Sequence, residues 1–565
     1  KNLGNISKLW TKEYFTASAE MSYRPLVTLT YFIDYWLYGL KPWGYHLTNV
    51  LLHAINGVIL YIFLTLLITH RSLLITLISL LFVTHPVLTE AVNAISFRED
   101  LLCFLFLISA LILYMAHCSL LIAHCSKFKA FSFQFSALSF YLLALLSKEM
   151  AITLPLILFL YEWLYGKQSP HSPLTKGELN VVRGVSQPPL IKGVGGLSQI
   201  LFNSYIIGYI VITFFYLYLR FFLFHNPVEE DISVWSLSER LMTIPYLISK
   251  YLLLLIAPVS LSADYVITPL KSLISIEAIV SIIVLISIFI IALKVGKRDK
   301  GISFAILFFL ITLLPVYNII PLYNPFAERY LYLPTVGFAI IIGSTLTWFI
   351  AHIPFKDMTG QGSWRIAHRS SLIAHFSLFI IIISIYSFAV IQRNKIWADG
   401  YSLWSDTAIK MPESFKAHNG LGIVYDKQGR SDEAIKEYLT AIRFKPVYAD
   451  AHNSLGNVYA KQGRIDEAIK EYKLALSIDP NYPEAHYNLG TAYGTSGLID
   501  KAIEHFQIVL KLKPDFPEAH YNLGVAYHMN GLNDRAIEEY QIALRLKPDY
   551  TKAQDSLRKV LKTEK

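Results

Sequence analysis

Charge is scarce in this chain: 16% of its 565 residues are Asp, Glu, Lys or Arg, against about 25% in an average soluble domain. Apolar residues reach 54% where about 45–50% is usual, which excludes a purely soluble protein. Cysteine is nearly absent. Cys103, Cys118 and Cys125 have no CxxC spacing, so they support neither a disulfide framework nor a zinc site. There is no GxxxxGK[ST] and no GxGxxG between strand and helix, which removes the common soluble nucleotide sites. Histidines are scattered or repeat-periodic, so no cofactor is evident, and a divalent metal has no ligand cluster to support it. The net charge of +9 falls in short clusters between apolar runs. It reads as membrane topology, and no nucleic-acid partner is expected. The chain opens Lys1-Asn2-Leu3-Gly4 without a methionine or signal peptide, and we expect an N-terminal stretch to be missing.

The apolar excess lies upstream of the last third. About 20 apolar residues of helix cross a hydrocarbon core, and runs of this kind predict ten spans. These lie near His46 to Ile68, Leu73 to Thr84, Leu101 to Ala116, Phe133 to Ser147, Met150 to Tyr165, Ile200 to Leu223, Ile276 to Leu293, Ile302 to Val316, Val336 to Ile353 and Leu372 to Ile391. Alternate connecting loops hold 14 Lys and Arg against six in the opposite set, and the richer set is expected to be cytoplasmic. Residues 1–45, a first loop whose preceding span is missing, and everything beyond 392 then lie on the non-cytoplasmic side of a cell inner membrane. Tyr246 to Ala257 is read as a re-entrant or interfacial helix. The cytoplasmic loop 166–198, dominated by Gly, Pro and Ser, is expected to be disordered.

After a linker at 393–413, residues 414–565 repeat every 34 residues. Ala417, Ala451, Ala485 and Ala519 are in register, as are Gly422, Gly456, Gly490 and Gly524, then Gly429, Gly463, Gly497 and Gly531, then Pro446, Pro480, Pro514 and Pro548. Small residues let two helices of a unit approach, a glycine ends the first helix and a proline stops the second. This predicts four tetratricopeptide units and a C-terminal helix, a solenoid whose groove would take a protein or peptide. Asn488 and Asn522 are candidate acceptor or partner-binding residues, since a ladder of amides can hold a peptide backbone. Gly420 and Ser454 occupy the register in the first two units, and ordinary polar helix positions are an equal alternative.

Ionisable residues collect beside the non-cytoplasmic ends of the spans, where they are costly and informative. Thr84-His85-Pro86-Val87-Leu88-Thr89-Glu90 is followed by Arg98-Glu99-Asp100, and a later loop carries Glu328-Arg329-Tyr330. Arg220 lies near a span end, Lys148-Glu149 forms a short turn, and Arg24 precedes Pro25. Arginines facing carboxylates could hold a lipid-linked phosphate while a carboxylate acts as base. Alternatively the charges only anchor helix ends, and Trp43, Tyr45, Tyr330 and Tyr332 form an interfacial belt.

The motif order SYRPL, KPWGYHLTNVLLH, THPVLTEAV with RED, SKEMAITLPLILFLYE, AERYLYLP and then the repeat array resembles the transmembrane-and-tetratricopeptide-repeat O-mannosyltransferases. That resemblance implies an all-α protein, a polytopic membrane helix bundle of the C-type glycosyltransferase fold followed by the solenoid. It also implies transfer of a mannose-like sugar from a polyprenyl-phosphate carrier to a protein hydroxyl on the non-cytoplasmic face. Carried over residue by residue, it implies that His85, Glu90, Arg98 and Asp100 belong to the second outer loop facing the active site, and Glu328 and Arg329 to the later outer-loop motif, with Arg329 a candidate for the carrier phosphate. The candidate catalytic residues are then His85, Glu90 and Asp100, and Arg24, Arg98 and Arg220, read from the residues as arginines beside carboxylates, join Arg329 as donor-phosphate candidates. The acidic motif expected just after the first span is absent, and neither Glu13 nor Glu20 sits in a matching context. The rival expectation is a membrane-anchored repeat scaffold without catalysis; a transporter fits less well, because the polar residues sit at helix ends.

Overall fold

The computed structural model describes Leu9 and residues 23–68, 72–122, 127–165, 204–223, 235–322, 324–351 and 361–563. The loop 166–198, Glu13 and Glu20 lie outside them. The described residues contain helices and no strand. The chain divides into two units, Lys1–Ala263 with Ile267–Lys395, and Ile396–Lys565 with Asp264–Val266.

The first unit is a helix bundle: α1 Pro25–Tyr38, α2 Pro42–Leu67, α3 Ser72–Thr84, α4 Thr89–Asn93, α5 Arg98–Ile122, α6 Lys127–Ser147, α7 Leu154–Tyr165, α8 Ser204–Tyr218, α9 Leu237–Ile256, α10 Ile276–Val295, α11 Lys300–Thr312, α12 Thr335–Ala351 and α13 Gln361–Ile396. All ten expected runs fall on helix where they are described. Four stretches are long and apolar enough to cross a membrane, Pro42–Leu67, Ile95–Cys118, Ile276–Val295 and Ser377–Ile396, so this is a membrane protein. The others are shorter. Leu73–Thr84 and Pro86–Asn93 qualify only as a pair bent by 48°, because Pro86 cannot continue the hydrogen-bond ladder from α3. Tyr246 to Ala257 belongs to α9, which opens on a capping box between Ser236 and Glu239 and contains Pro245. Glu239, Arg240 and Lys250 keep it from being uniformly apolar, and it is not among the candidate crossings.

Breaks in a membrane helix expose carbonyls that no water can satisfy. A polar stripe on α2 supplies the partners. Asn49 Nδ2 donates to the carbonyls of Val92 and Ala94 at 3.2 and 3.3 Å, His53 Nε2 to Val83 at 3.0 Å, and Asn56 Nδ2 to Leu101 at 3.0 Å. These residues are spaced i, i+4, i+7, one face of a helix. The sequence HLTNVLLHAIN is therefore a clamp for the broken segment and the first turn of α5, residues 83–101. Tyr332 closes it, with its hydroxyl 2.6 Å from His53 Nδ1 and 3.0 Å from Asn56 Nδ2.

The second unit contains α14 Gly400–Lys410, four helix pairs and α23 Thr551–Thr563. The pairs are α15 Phe415–Lys427 with α16 Ser431–Phe444, α17 Ala449–Lys461 with α18 Ile465–Ile478, α19 Pro483–Thr495 with α20 Ile499–Leu512, and α21 Pro517–Met529 with α22 Asn533–Leu546. The tight approach within a pair depends on the in-register glycines. A Cβ on Gly422 would lie 2.5 Å from the Tyr438 ring, and one on Gly456 2.7 Å from the Tyr472 ring. The turn glycines Gly429, Gly463, Gly497 and Gly531 have φ between +72° and +75°, the left-handed region that ends a helix at low cost only for glycine. The stretch 393–413, expected as a linker, is largely helical. α14 packs Trp404 onto Gly420 and shields the apolar face that the first repeat would otherwise expose. α23 does the same at the other end through buried Ala553 and Val560.

Candidate functional site

The ionisable residues singled out along the first unit converge because of how the helices alternate. Glu90 precedes α5 and Glu99 and Asp100 open it, Lys148 and Glu149 follow α6, Arg220 follows α8, and Glu328 and Arg329 precede α12. The beginnings of α5, α7 and α12 and the ends of α6, α8 and α13 therefore meet at one end of the bundle. Residues far apart in sequence become hydrogen-bond partners there.

Most of these charges are paired away from solvent. Arg98 is fully buried. Its Nε donates to Asn49 Oδ1 at 2.8 Å, Nη1 to Thr30 Oγ1 at 3.2 Å and Nη2 to the Tyr45 carbonyl at 3.0 Å, and Nη2 lies 2.5 Å from Asp34 Oδ2. Its guanidinium also sits over the Tyr31 ring. Glu90 accepts from the backbone N–H of Arg329 at 2.8 Å and from its guanidinium at 2.6 Å, while Arg329 stacks over Phe97, 4.1 Å from the ring centre. Glu328 accepts from the Ser262 N–H at 2.6 Å and from Arg393 at 3.1 Å. His85 uses both ring nitrogens: Nδ1 accepts from the Val87 N–H at 3.2 Å and Nε2 donates to the Leu255 carbonyl at 3.0 Å. That pattern fixes the neutral Nε2–H tautomer. Of the groups expected from the resemblance to react or to hold phosphate, Glu90 and Arg329 thus join the broken segment to the 324–334 loop, His85 ties it to α9, and Arg98 ties the start of α5 to α1 and α2.

A second group is partly open. Glu149 accepts from Arg24 Nη2 at 3.2 Å and Arg220 Nη2 at 3.0 Å, and Arg24 Nη1 also donates to Glu99 at 2.7 Å. Side-chain exposure is 29% at Glu149, 20% at Arg24 and 13% at Arg220, whereas the pairs just described are nearly closed. Behind this group lies Lys148, whose Nζ donates to both Asp100 oxygens at 2.7 Å and stands 3.7 Å from Glu99. Burial alone would raise the Glu149 carboxyl, but Arg24 and Arg220 hold it well below the usual carboxylate range. Burial alone would lower the Lys148 ammonium; Asp100 and Glu99 outweigh that and raise it. The cluster balances three cations against three carboxylates, so an arriving anion must displace a carboxylate from a guanidinium. Glu149 is the one most open to displacement.

Of the expected site residues, Arg24, Arg220 and Asp100 enter this cluster. Asp34, Glu99, Glu149 and Arg393 were missed as site members. Asp34 carried a signal, a lone acid in the apolar stretch LVTLTYFIDYW, and so did Lys148-Glu149, two charges at a turn between apolar runs. Among the described residues no group of three or more His, Cys, Asp or Glu could hold a metal.

In the repeats, Asn488 Nδ2 donates to Asn453 Oδ1 at 2.9 Å and Asn522 Nδ2 to the Tyr487 hydroxyl at 2.9 Å. Both therefore link one unit to the preceding unit. The amide ladder expected to meet a peptide is spent in part on joining repeats.

Family models match the second unit, a TPR repeat model at residues 422–463 and 456–497 and a tetratricopeptide repeat model at 487–551. Among curated proteins, the chain is 25% identical over 445 residues to the protein O-mannosyl-transferase F38B6.6 of Caenorhabditis elegans, covering 78% of this chain and 56% of that protein. It is 24% identical over 474 residues to human TMTC1 (78% and 50%) and 26% over 450 residues to human TMTC3 (77% and 46%), both named protein O-mannosyl-transferases. The chain is similar to protein O-mannosyl-transferases. The match spans both units, so it is not a likeness of the repeats alone. The chain spans about half the length of the curated relatives it matches. Among solved structures, the crystal structure of MamA is 26% identical, covering 29% of this chain and 96% of that chain with a TM-score of 0.26.

Proposed function

We propose that this protein is an integral membrane glycosyltransferase. It moves a mannose-like sugar from a polyprenyl-phosphate carrier to a protein hydroxyl on the non-cytoplasmic face of the cell inner membrane, and the repeats recruit the acceptor or a partner there. The observation that carries this reading is the partly open Arg24–Glu149–Arg220 group at one end of the bundle. Two guanidiniums around one displaceable carboxylate suit a phosphodiester, since each planar fork can donate two parallel hydrogen bonds to phosphate oxygens. Arg24 and Arg220 would hold the carrier phosphate; Lys148, neutralised by Asp100, would stand behind them. Arg98 and Arg329 shape the wall, and His85 and Glu90 act through that shape rather than as proton acceptors. Asp100, tied to an ammonium through both oxygens, would have to leave it before accepting a proton.

The test is transfer of radiolabelled sugar from polyprenyl-phosphate donors to endogenous proteins in membranes carrying the protein. Transfer that falls at least tenfold in Arg220→Lys, with the protein still folded, supports the reading. A protein that transfers no sugar from any donor yet captures a specific partner through residues 414–565 would instead be a membrane-anchored scaffold.

A further inference from the structure

The four repeats share a histidine–carboxylate contact, and the third repeat breaks it. In the first, second and fourth, a histidine of the first helix donates through Nε2 to a proline carbonyl six residues earlier. His418, His452 and His520 do so to Pro412, Pro446 and Pro514 at 3.0, 3.1 and 3.0 Å. Their Nδ1 atoms meet Glu437, Glu471 and Glu539 on the second helix at 2.6, 2.7 and 2.6 Å. In the third repeat His486 keeps the proline contact, to Pro480 at 3.0 Å, but the residue 19 positions on is His505, with the two Nδ1 atoms 2.9 Å apart.

Proton counting separates the two arrangements. A His–Glu contact is strengthened by adding a proton, because an imidazolium then faces a carboxylate. In the His486–His505 contact, Nε2 of His486 carries a hydrogen toward Pro480, so its Nδ1 is the acceptor and His505 Nδ1–H the donor. A proton added to His486 leaves two N–H groups opposed. A proton added to His505 gives a cation whose other neighbours offer little compensation. Lys473 from α18 and the Tyr493 ring from α19 face it, with the ring stacked at 5.6 Å, and Glu504 is its neighbour on α20. Lys501 and Lys473 both lie over that same ring.

We infer that the third repeat is an acid-sensitive joint in an array whose other three units tighten in acid, so that lowering pH opens the solenoid locally at α19 and α20. The directions in which these histidines shift agree with the geometry. His505 is depressed by burial first and then by His486 and Lys473, whereas His418, His452 and His520 are raised. A depressed histidine contributes stability above its unfolded value of about 6.5 that is lost as pH falls, and the raised histidines do the reverse.

The test is hydrogen exchange on the whole protein in detergent micelles at pH 7.5 and 5.5, with rates corrected for the intrinsic pH dependence of amide exchange. Opening of residues 483–512 should rise about three- to tenfold relative to 449–478 on acidification, since one unit of pKa difference is tenfold in the opening equilibrium. His505→Glu, which installs the contact of the other repeats, should abolish the difference, and Glu471→His should extend the acid response to the second repeat. Equal responses in all four repeats, or an unchanged difference in His505→Glu, would overturn the inference. The wild-type comparison stands even if a variant does not fold.

Discussion

Arg98 and Arg220 look alike in the sequence, an arginine at the end of an apolar run, but the structure predicts opposite consequences for removing them. Arg98→Ala deletes three hydrogen bonds and leaves Asp34 buried with, among the described residues, only the Thr48 hydroxyl, at 2.8 Å, as a hydrogen-bond partner. Breaking a buried pair by removing one member costs about 3–5 kcal/mol, about two to four orders of magnitude in the unfolding equilibrium. Arg98→Ala and Asp34→Ala should each lower stability by that amount, measured by the denaturant midpoint in mixed micelles. The double variant should cost clearly less than the sum, because it strands no charge. Arg220→Ala should fall within about 1 kcal/mol of the wild type, since its pair is partly solvated and Glu149 keeps Arg24. A cost under about 1 kcal/mol for Arg98→Ala, or additive single variants, would refute the claim that this pair is part of the scaffold.

Three further outcomes follow from the same reasoning. Binding of a polyprenyl phosphodiester, followed by tryptophan quenching or calorimetry, should weaken about 10- to 100-fold in Arg220→Ala, the loss of a charge-assisted bond worth about 1.5–3 kcal/mol. It should strengthen in Glu149→Gln, because the carboxylate that competes with the phosphate is gone. The second repeat should lose stability as pH rises from about 6.5 through the raised value of His452, the direction set by Glu471 and the Pro446 carbonyl against the depression by burial; Glu471→Gln should flatten that dependence in a pH series of thermal melts. Gly422→Ala should destabilise the first repeat by about 1–3 kcal/mol through overpacking on Tyr438, where the new Cβ would lie 2.5 Å from the ring, read as faster exchange across α15 and α16.

What the sequence determined by itself was everything governed by period and composition. The 34-residue register of Ala417, Gly422, Gly429 and Pro446 specified helix pairs, their turns and their close approach, because each rests on local sterics that a residue carries with it. The apolar runs specified helices, four stretches of which are long and apolar enough to cross a membrane, and the order of motifs pointed to the likeness to the O-mannosyltransferases. Tertiary structure decided the rest. Whether a run such as Leu73–Thr84 crosses alone or bends at Pro86 depends on whether another helix can satisfy the broken ladder, and Asn49, His53 and Asn56 do that from α2. The stretch 393–413 carries the helix Gly400–Lys410, capped by Asp399 and packed through Trp404 on Gly420. Above all, the parts played by the arginines followed from partners 49 to 239 residues away. Arg98 was closed by Asn49 and Asp34, Arg329 by Glu90, and Arg24 and Arg220 were brought to the two sides of Glu149. Charges act over a few ångströms, and only the folded chain sets which of them lie that close.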